Sequence, residues 1–300
     1  MTERNTNSTK ADAIIVAFKS EEVIGSCVDS LAADPAVGSI MVVNNSPGDA
    51  VSTMIGSHPD ATLIDSPGNP GFGAGVNMGA QYVNSDFVVI ANPDVIQERD
   101  TVSKCIAFLK EKPRAAVVGP LLQYQDGSFY GTSKRDASLL RFLAARVPWL
   151  SKFGEVRTER AHGVAHKTDW LTGAFLVARK EALDQVGWFD SSIFLFGEDA
   201  DLCLRLRVKG WEVWFSPLGL VRHKSGHAWR QADSTAMNRL MLQARYRRLI
   251  SQGNHFSGWL YRRMSGLNEI SVSVGESSRG SQSERKSSNE ALSKRLLFRQ

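Results

Sequence analysis

Val88-Val89-Ile90-Ala91-Asn92-Pro93-Asp94 is an apolar run that stops abruptly at an acid. An unbroken run of this kind makes a strand buried on both faces, which exposes side chains only where it ends. In open parallel α/β sheets that carboxyl end is where ligands bind. Pro93 has no N–H to give and closes the ladder there. Asp94 then offers a hard oxygen of the type that holds Mg2+ or Mn2+ together with substrate phosphates. Read alone, it is otherwise a turn residue or the cap of a helix starting near Glu98. Further along, Phe196-Gly197-Glu198-Asp199-Ala200-Asp201-Leu202-Cys203-Leu204-Arg205 sets three acids at the mouth of an amphipathic helix. The two stretches together point to a divalent metal at a strand end with a carboxylate base facing it.

Outward from this strand, apolar runs at 11–18, 39–43, 61–64 and 115–121 alternate with helical patterns at 21–33 and 98–111 and with a glycine-rich helix start within 68–79. Strands alternating with helices predict an α/β fold with a Rossmann-like, mostly parallel central sheet flanked by helices. Asn44-Asn45-Ser46-Pro47-Gly48 ends the second strand with residues that favour turns and helix caps. The rhythm breaks over 131–167, where 138–153 mixes Leu, Phe, Trp and Arg and predicts a short amphipathic helix. Extended segments at 170–178, 212–215 and 219–223, with helices over 180–186 and from the acidic motif to 209, complete a domain over 11–228. Residues 229–268 predict a basic extension with amphipathic helices over 234–264. Residues 1–10 and 269–300 have the composition of disordered ends.

The chain of 300 residues carries a net charge of +5, unevenly distributed. Residues 1–228 hold 23 Lys and Arg against 26 Asp and Glu, whereas 229–300 hold 13 against 5. A basic region on a mildly acidic body predicts an anionic partner. No zinc spacing, RNP-like strand or helix-turn-helix pattern accompanies it, so nucleic acid is set aside for an anionic membrane surface. Arg245, Arg247, Arg248, Arg262 and Arg263, interleaved with Leu, Ile, Tyr and Trp, suit a helix lying in a lipid interface. No apolar run approaches the ~20 residues of a membrane span, and the first ten residues lack a signal-peptide core. Cys27, Cys105 and Cys203 are odd in number and far apart, as in a reduced cytoplasmic protein with buried thiols. A cytoplasmic protein peripheral to the inner face of the cell membrane follows; homo-oligomerisation is left open.

Gly68-Asn69-Pro70-Gly71-Phe72-Gly73-Ala74-Gly75-Val76-Asn77-Met78-Gly79 follows a short strand and opens a helix, but its spacing is not that of a dinucleotide fingerprint. The glycines let the backbone approach a nucleotide, with Asn69 and Asn77 as hydrogen-bonding groups, or else form a tight helix-packing turn. A nucleotide-binding oxidoreductase is the alternative from another class that this stretch keeps open.

Asn69-Pro70-Gly71-Phe72-Gly73, Ala91-Asn92-Pro93-Asp94-Val95, Trp170-Leu171-Thr172-Gly173-Ala174, Val186-Gly187-Trp188-Phe189-Asp190, 194–205 and Val221-Arg222-His223 occur in this order. The set resembles the family 2 inverting glycosyltransferases, most closely their rhamnosyltransferase branch, over residues 11–228. The resemblance implies a GT-A fold and a metal-dependent transferase. Asn92-Pro93-Asp94 stands where that family carries an Asp-x-Asp-like element, which implies that Asp94 binds Mg2+ or Mn2+ and that Asn92 touches ribose or water. His223 matches a histidine that completes the metal's sphere. Asp199 matches the general base, which deprotonates the acceptor hydroxyl. Glu198 orients the acceptor, while Asp201 caps the helix or binds Arg205. Donor-nucleotide contacts fall on Asn44, Asn69, Gly71, Phe72, Gly73, Asn77 and Asn92. Asn44 replaces a commoner Asp and accepts the base N3–H without charge; Lys19 reaches a phosphate or faces solvent. Ser133, Arg135, Trp170 and Glu198 fall on the acceptor side. The branch implies dTDP-L-rhamnose as donor and a polyprenyl-diphosphate-linked N-acetylglucosamine as acceptor. UDP-galactofuranose, UDP-galactose and UDP-GlcNAc are the alternatives within the family.

Overall fold

Strand β1 (Ala11–Ala17) is buried at every position and sits inside a mostly parallel sheet. The computed structural model describes residues 10–144, 148–224, 234–251, 253 and 255–264. The disorder expected at the two ends of the chain lies outside these residues, Lys10 excepted. After β1 come α1 (Ile24–Ala32), β2 (Val37–Asn44), α2 (Ala50–Gly56), β3 (Ala61–Asp65), α3 (Phe72–Ala80), β4 (Phe87–Ala91), β5 (Val95–Gln97) and α4 (Thr101–Glu111). The chain continues through β6 (Ala115–Tyr124), β7 (Phe129–Tyr130), β8 (Ser133–Lys134), α5 (Leu139–Ala144), β9 (His166–Lys167), β10 (Trp170–Leu171), β11 (Phe175–Arg179) and α6 (Lys180–Val186). It goes on to α7 (Glu198–Val208), β12 (Glu212–His223), α8 (Ser234–Ser251) and α9 (His255–Met264).

The sheet order is β3-β2-β1-β4-β11-β6-β12-β5, with β11 antiparallel to both β4 and β6. The two-residue period of β1 explains the layers. Ala11, Ala13, Ile15 and Ala17 face the core under α1, α2 and α4, and Ile14 and Val16 face the core under α3, α6 and α7. A smaller cluster of Ala137, Leu249 and Tyr261 fastens α8 and α9 to the segment before α5.

Several differences from the sequence reading shape the functional edge. Helix α2 fills the span between the second and third strands, with Asp49 capping it through the Val51 N–H. The expected strand over 170–178 is broken into β10 and β11 by the segment 172–174, which turns the Gly173 N–H toward α7. The two segments at 212–215 and 219–223 are one strand, β12, whose register shifts between Phe215 and Leu220, around Pro217. Strand β5 follows Asp94 at once and pairs antiparallel with the end of β12, Val95 opposite His223. The helix expected over 138–153 is reduced to α5 and a separate 3-10 turn at Pro148–Phe153.

Candidate active site

The pairing of β5 with β12 joins two residues that lie far apart in sequence. Lys224 N–H donates to the Asp94 carbonyl (2.8 Å), and Asp94 Oδ1 lies 3.0 Å from His223 Nε2. Both side chains are nearly buried, and His223 Nδ1 has no hydrogen-bond partner among the described residues. The His223 ring packs edge-on against Tyr130 at 5.1 Å. Burial pushes the Tyr130 hydroxyl far above its ordinary value, with the charges of Tyr124, Asp199 and Asp94 adding to it.

Asp199 is held from two sides. Its Oδ2 accepts the Gly173 N–H (3.0 Å) and its Oδ1 the Ala200 N–H (2.7 Å). A Cβ on Gly173 would sit 3.3 Å from the Asp199 Cβ, so glycine allows this close approach. The chain enters α7 through Phe196 (φ 65°) and Gly197 (φ 89°), two successive left-handed residues. For Phe196 that conformation is strained, as backbones at functional sites often are. Asp201 pairs with Arg205 at 2.7 Å, one turn along the same helix.

Glu198 departs from its expected acceptor-facing role. Its side chain is buried and Oε2 has no partner among the described residues. Burial, with the neighbouring Asp199 charge, pushes its carboxyl up to about 8. Burial and the adjacent Asp199 charge thus favour the protonated form of Glu198 at neutral pH. Between about pH 4.5 and pH 8 the unfolded chain releases this proton and the folded chain keeps it, so burying Glu198 costs stability that grows as pH rises. Glu198→Gln is accordingly expected to be more stable than the wild-type protein at pH 8, by on the order of a few kcal/mol, with the gain shrinking at pH 5. Thermal denaturation at the two pH values checks this; an equal difference at both would show that the proton is not held there.

The nucleotide contacts read from the sequence need correction at several positions. Asn44 is fully buried, and its amide is used by the loop: Oδ1 accepts the Ser46 N–H (3.0 Å), and Nδ2 donates to Asp49 Oδ1 and Ser52 Oγ (3.0 Å each). That burial keeps it from a base N3–H. Asn77 donates to the Phe189 carbonyl (2.8 Å) and Ser191 Oγ (3.0 Å) and accepts the Phe189 N–H (3.1 Å), tying α3 to the segment before α7. Phe72 packs edge-on against the Phe189 ring at 6.0 Å. A Cβ at Gly73 would press on Phe189, and one at Gly79 on Ile14. Gly71 has φ 97°, and a Cβ there would overlap the Phe194 carbonyl, which accepts the Phe72 N–H at 3.2 Å. These glycines serve packing, and with that goes the ground for an oxidoreductase. Asn69 Oδ1 accepts the Gly71 N–H (3.1 Å), and the Asn92 N–H donates to the Ala174 carbonyl (2.9 Å). Neighbouring Asn45 holds the Gly71 carbonyl (3.1 Å), while its own Oδ1 is buried without a partner among the described residues.

On the acceptor side the expected pair is hydrogen-bonded within its own surroundings. Ser133 is fully buried, with its hydroxyl between His162 Nε2 (3.2 Å) and His166 Nε2 (2.9 Å). Arg135 donates to the Gly154 carbonyl (3.1 Å) and so braces its own loop. Ser133 is thereby taken up by the fold, while Arg135 stays half-buried on the wall of a cavity with Ser138, Leu140 and Phe153. Lys134, between them, sets its ammonium 4.4 Å from the centroid of the Trp170 ring. Arg248 of α8 lies 4.6 Å from the same ring. Sequence reading missed Lys134 and Tyr130 and took Arg248 for a lipid-facing residue. The two-residue period of a strand was the signal for Lys134. Arg245 also turns inward, to Glu155 at 2.8 Å, and Leu249 and Tyr261 are buried, so this part of the expected lipid-facing set packs on the domain.

Among the described residues no three His, Cys, Asp or Glu side chains converge to hold a metal, and no helix is long and apolar enough to cross a membrane. All three cysteines are buried and unpaired. A family model described as "Glycosyltransferase like family 2" matches residues 11–241. The chain is 30% identical over 219 residues to the N-acetylglucosaminyl-diphospho-decaprenol L-rhamnosyltransferase of Mycobacterium tuberculosis, covering 66% of this chain and 70% of that one. It is 27% identical over 231 residues to the rhamnosyltransferase WbbL of Escherichia coli (strain K12), covering 74% and 86%. Among solved structures, GalNAc-T7 with UDP, GalNAc and Mn2+ matches with a TM-score of 0.62 at 13% identity. That match covers 96% of this chain and 55% of the other, and it bears on the fold alone, which is GT-A. The fold, the family match and the kinship over most of the catalytic body agree: this protein belongs to glycosyltransferase family 2.

Proposed function

We propose that the chain is an inverting rhamnosyltransferase that moves L-rhamnose from dTDP-L-rhamnose to a polyprenyl-diphosphate-linked N-acetylglucosamine. The observation that carries the reading is two carboxylates on either side of the 173–174 turn: Asp199, held by the Gly173 and Ala200 N–H groups, and Asp94, against His223 and two residues beyond the Asn92 whose N–H donates to the Ala174 carbonyl. The names of the two relatives support rhamnose as the sugar, and that of the first supports the acceptor. In this reading Asp199 takes the proton of the acceptor hydroxyl as the sugar's anomeric carbon is attacked from the face opposite the diphosphate. The Gly173 and Ala200 N–H groups fix its orientation, and the proton kept by Glu198 limits the charge of the pair.

Asp94 and His223 would hold Mg2+ or Mn2+. The Asp94 carboxylate and the His223 Nε2 that faces it at 3.0 Å fit such an ion when donor phosphates complete its sphere. When bound, the ion offsets the negative charge of the departing diphosphate. Transfer assayed over dTDP-L-rhamnose, UDP-galactofuranose, UDP-galactose and UDP-GlcNAc, with a short-chain N-acetylglucosaminyl-diphospho-lipid as acceptor, tests the donor. Preference for dTDP-L-rhamnose is expected; preference for a UDP-sugar would replace it.

In the same reading the enzyme works at the inner face of the membrane through an apolar rim. Leu140, Trp149 and Phe256 are 78%, 76% and 73% exposed, and Phe256 stacks on Trp259. Lys152 and Arg263 lie beside Phe153 and Trp259, so cations flank the aromatic rings as they do at lipid interfaces. The full chain is expected to co-sediment with anionic vesicles, and a Trp149→Ser/Phe256→Ser variant to lose most of that binding. Equal sedimentation of the two proteins would remove the rim from the account.

A further inference from the structure

Lys134 is paired across β8 and β10 with Trp170, and it shares the Trp170 ring with Arg248. The ring itself is fixed, because its Nε1–H donates to the Arg135 carbonyl at 2.9 Å. Among the described residues the Lys134 ammonium has no hydrogen bond or ion pair, only this aromatic face. Burial lowers its pKa; the Asp199 charge raises it, and Arg248 lowers it further. Arg248 shares the carboxylate of Glu155 with Arg245, at 3.6 Å and 2.8 Å. Two arginines thus meet at Glu155, and Lys134, which shares the Trp170 ring with one of them, also feels the charge of Asp199.

Helix α8 belongs to the site for a second reason. A Cβ on Gly197, the residue before Glu198, would come within 3.1 Å of the Ala244 Cβ. The helix that carries Arg248 is therefore packed directly on the turn that aims Asp199. The charges that act on Lys134 are those of Asp199, Arg248, Glu155 and Arg245, whereas Tyr130 feels both Asp199 and Asp94. Lys134 lies opposite Trp170, three residues before the Gly173 whose N–H holds Asp199, and this places it on the Asp199 side of the site.

We propose that Lys134 and Arg248, aligned by Trp170, bind the diphosphate of the lipid-linked acceptor and so hold its sugar hydroxyl at Asp199. The assignment rests on the transfer reading above and adds the group that recognises the acceptor. A planar guanidinium and a point-charge ammonium suit the several oxygens of a diphosphate. Helix α8 is then a wall of the acceptor site as well as a neighbour of the apolar rim.

Calorimetry on the full chain with farnesyl diphosphate, in EDTA, tests it. Lys134→Gln and Arg248→Gln are each expected to weaken binding about tenfold or more, the loss of one charge-assisted contact. Lys134→Arg, which keeps the charge, is expected to stay within a few-fold of the wild-type protein and to show that the loss is not one of folding. Titration with dTDP and Mn2+ is expected to give the same affinity in all four proteins. Unchanged farnesyl diphosphate binding in both Gln variants would overturn the assignment. So would a loss that falls on dTDP and Mn2+ instead, which would make these cations donor ligands. Wild-type binding of inorganic pyrophosphate as tight as that of farnesyl diphosphate would reduce the site to one for free anions and would also overturn it. Failure of the wild-type protein to bind dTDP with Mn2+ would bring down the transfer reading itself, a separate observation, and this assignment with it.

Discussion

Asp199→Asn is expected to lower sugar transfer by roughly a hundred- to ten-thousand-fold, the usual contribution of a positioned general base. The carboxylate sits at the start of α7 with each oxygen on a backbone N–H. An asparagine keeps the shape but cannot take a proton, and its NH2 must face one of those two donors. That mismatch leaves a backbone N–H unpaired, at a cost of about 1–3 kcal/mol. Melting curves are therefore needed beside the kinetics. The expected outcome is a folded protein that binds the donor nucleotide with nearly wild-type affinity and does not turn over. Full transfer by a folded Asp199→Asn protein would remove Asp199 from the chemistry.

The second large effect is expected at the strand ends. Asp94→Ala should abolish the metal-dependent part of nucleotide-diphosphate binding, because it removes the one hard oxygen of the proposed pair. It also leaves His223 Nε2 without its partner at 3.0 Å. His223→Ala should weaken the same binding less, since Asp94 and the phosphates remain. Calorimetry with dTDP, with and without Mn2+, separates the two. Equal Mn2+-dependent affinity in the wild-type protein and both variants would show that the ion is held elsewhere.

Much of the sheet is legible in the sequence because buried parallel strands are long apolar runs, as 11–17 and 87–91 are. The juxtaposition of Asp94 with His223 is not legible, because it depends on the three-residue strand β5 pairing antiparallel with a strand from far along the chain. So short a strand has no periodicity to read. Asn44 is a matter of side-chain direction: Asn45, one position on, faces the glycine-rich turn, and Asn44 faces α2. Alternation also governs Ser133, Lys134 and Arg135. The motif drew attention to its two outer residues, while the middle one meets Trp170.

The glycines over 71–79 illustrate a different limit. A glycine that admits a ligand and one that admits a neighbouring side chain look the same in sequence; only the packing of Phe189, Phe194 and Ile14 tells them apart. In α8 the clue was present in the helical period. Leu240, Ala244 and Arg248 are four apart and share one face, and the first two are buried. Arginine at the third position reads as a surface charge until its aromatic and carboxylate partners, Trp170 and Glu155, are known.

In the proposed reaction the acceptor hydroxyl displaces dTDP from the anomeric carbon in a single step, with Asp199 as base. The most direct test of this step is the configuration of the product. The purified wild-type chain is incubated with dTDP-L-rhamnose, Mn2+ and a short-chain N-acetylglucosaminyl-diphospho-lipid, and the new glycosidic linkage is read by NMR from its anomeric coupling. A rhamnosyl product of anomeric configuration opposite to that of the donor is expected, formed together with dTDP. A product that retains the donor's configuration would contradict a single-step displacement.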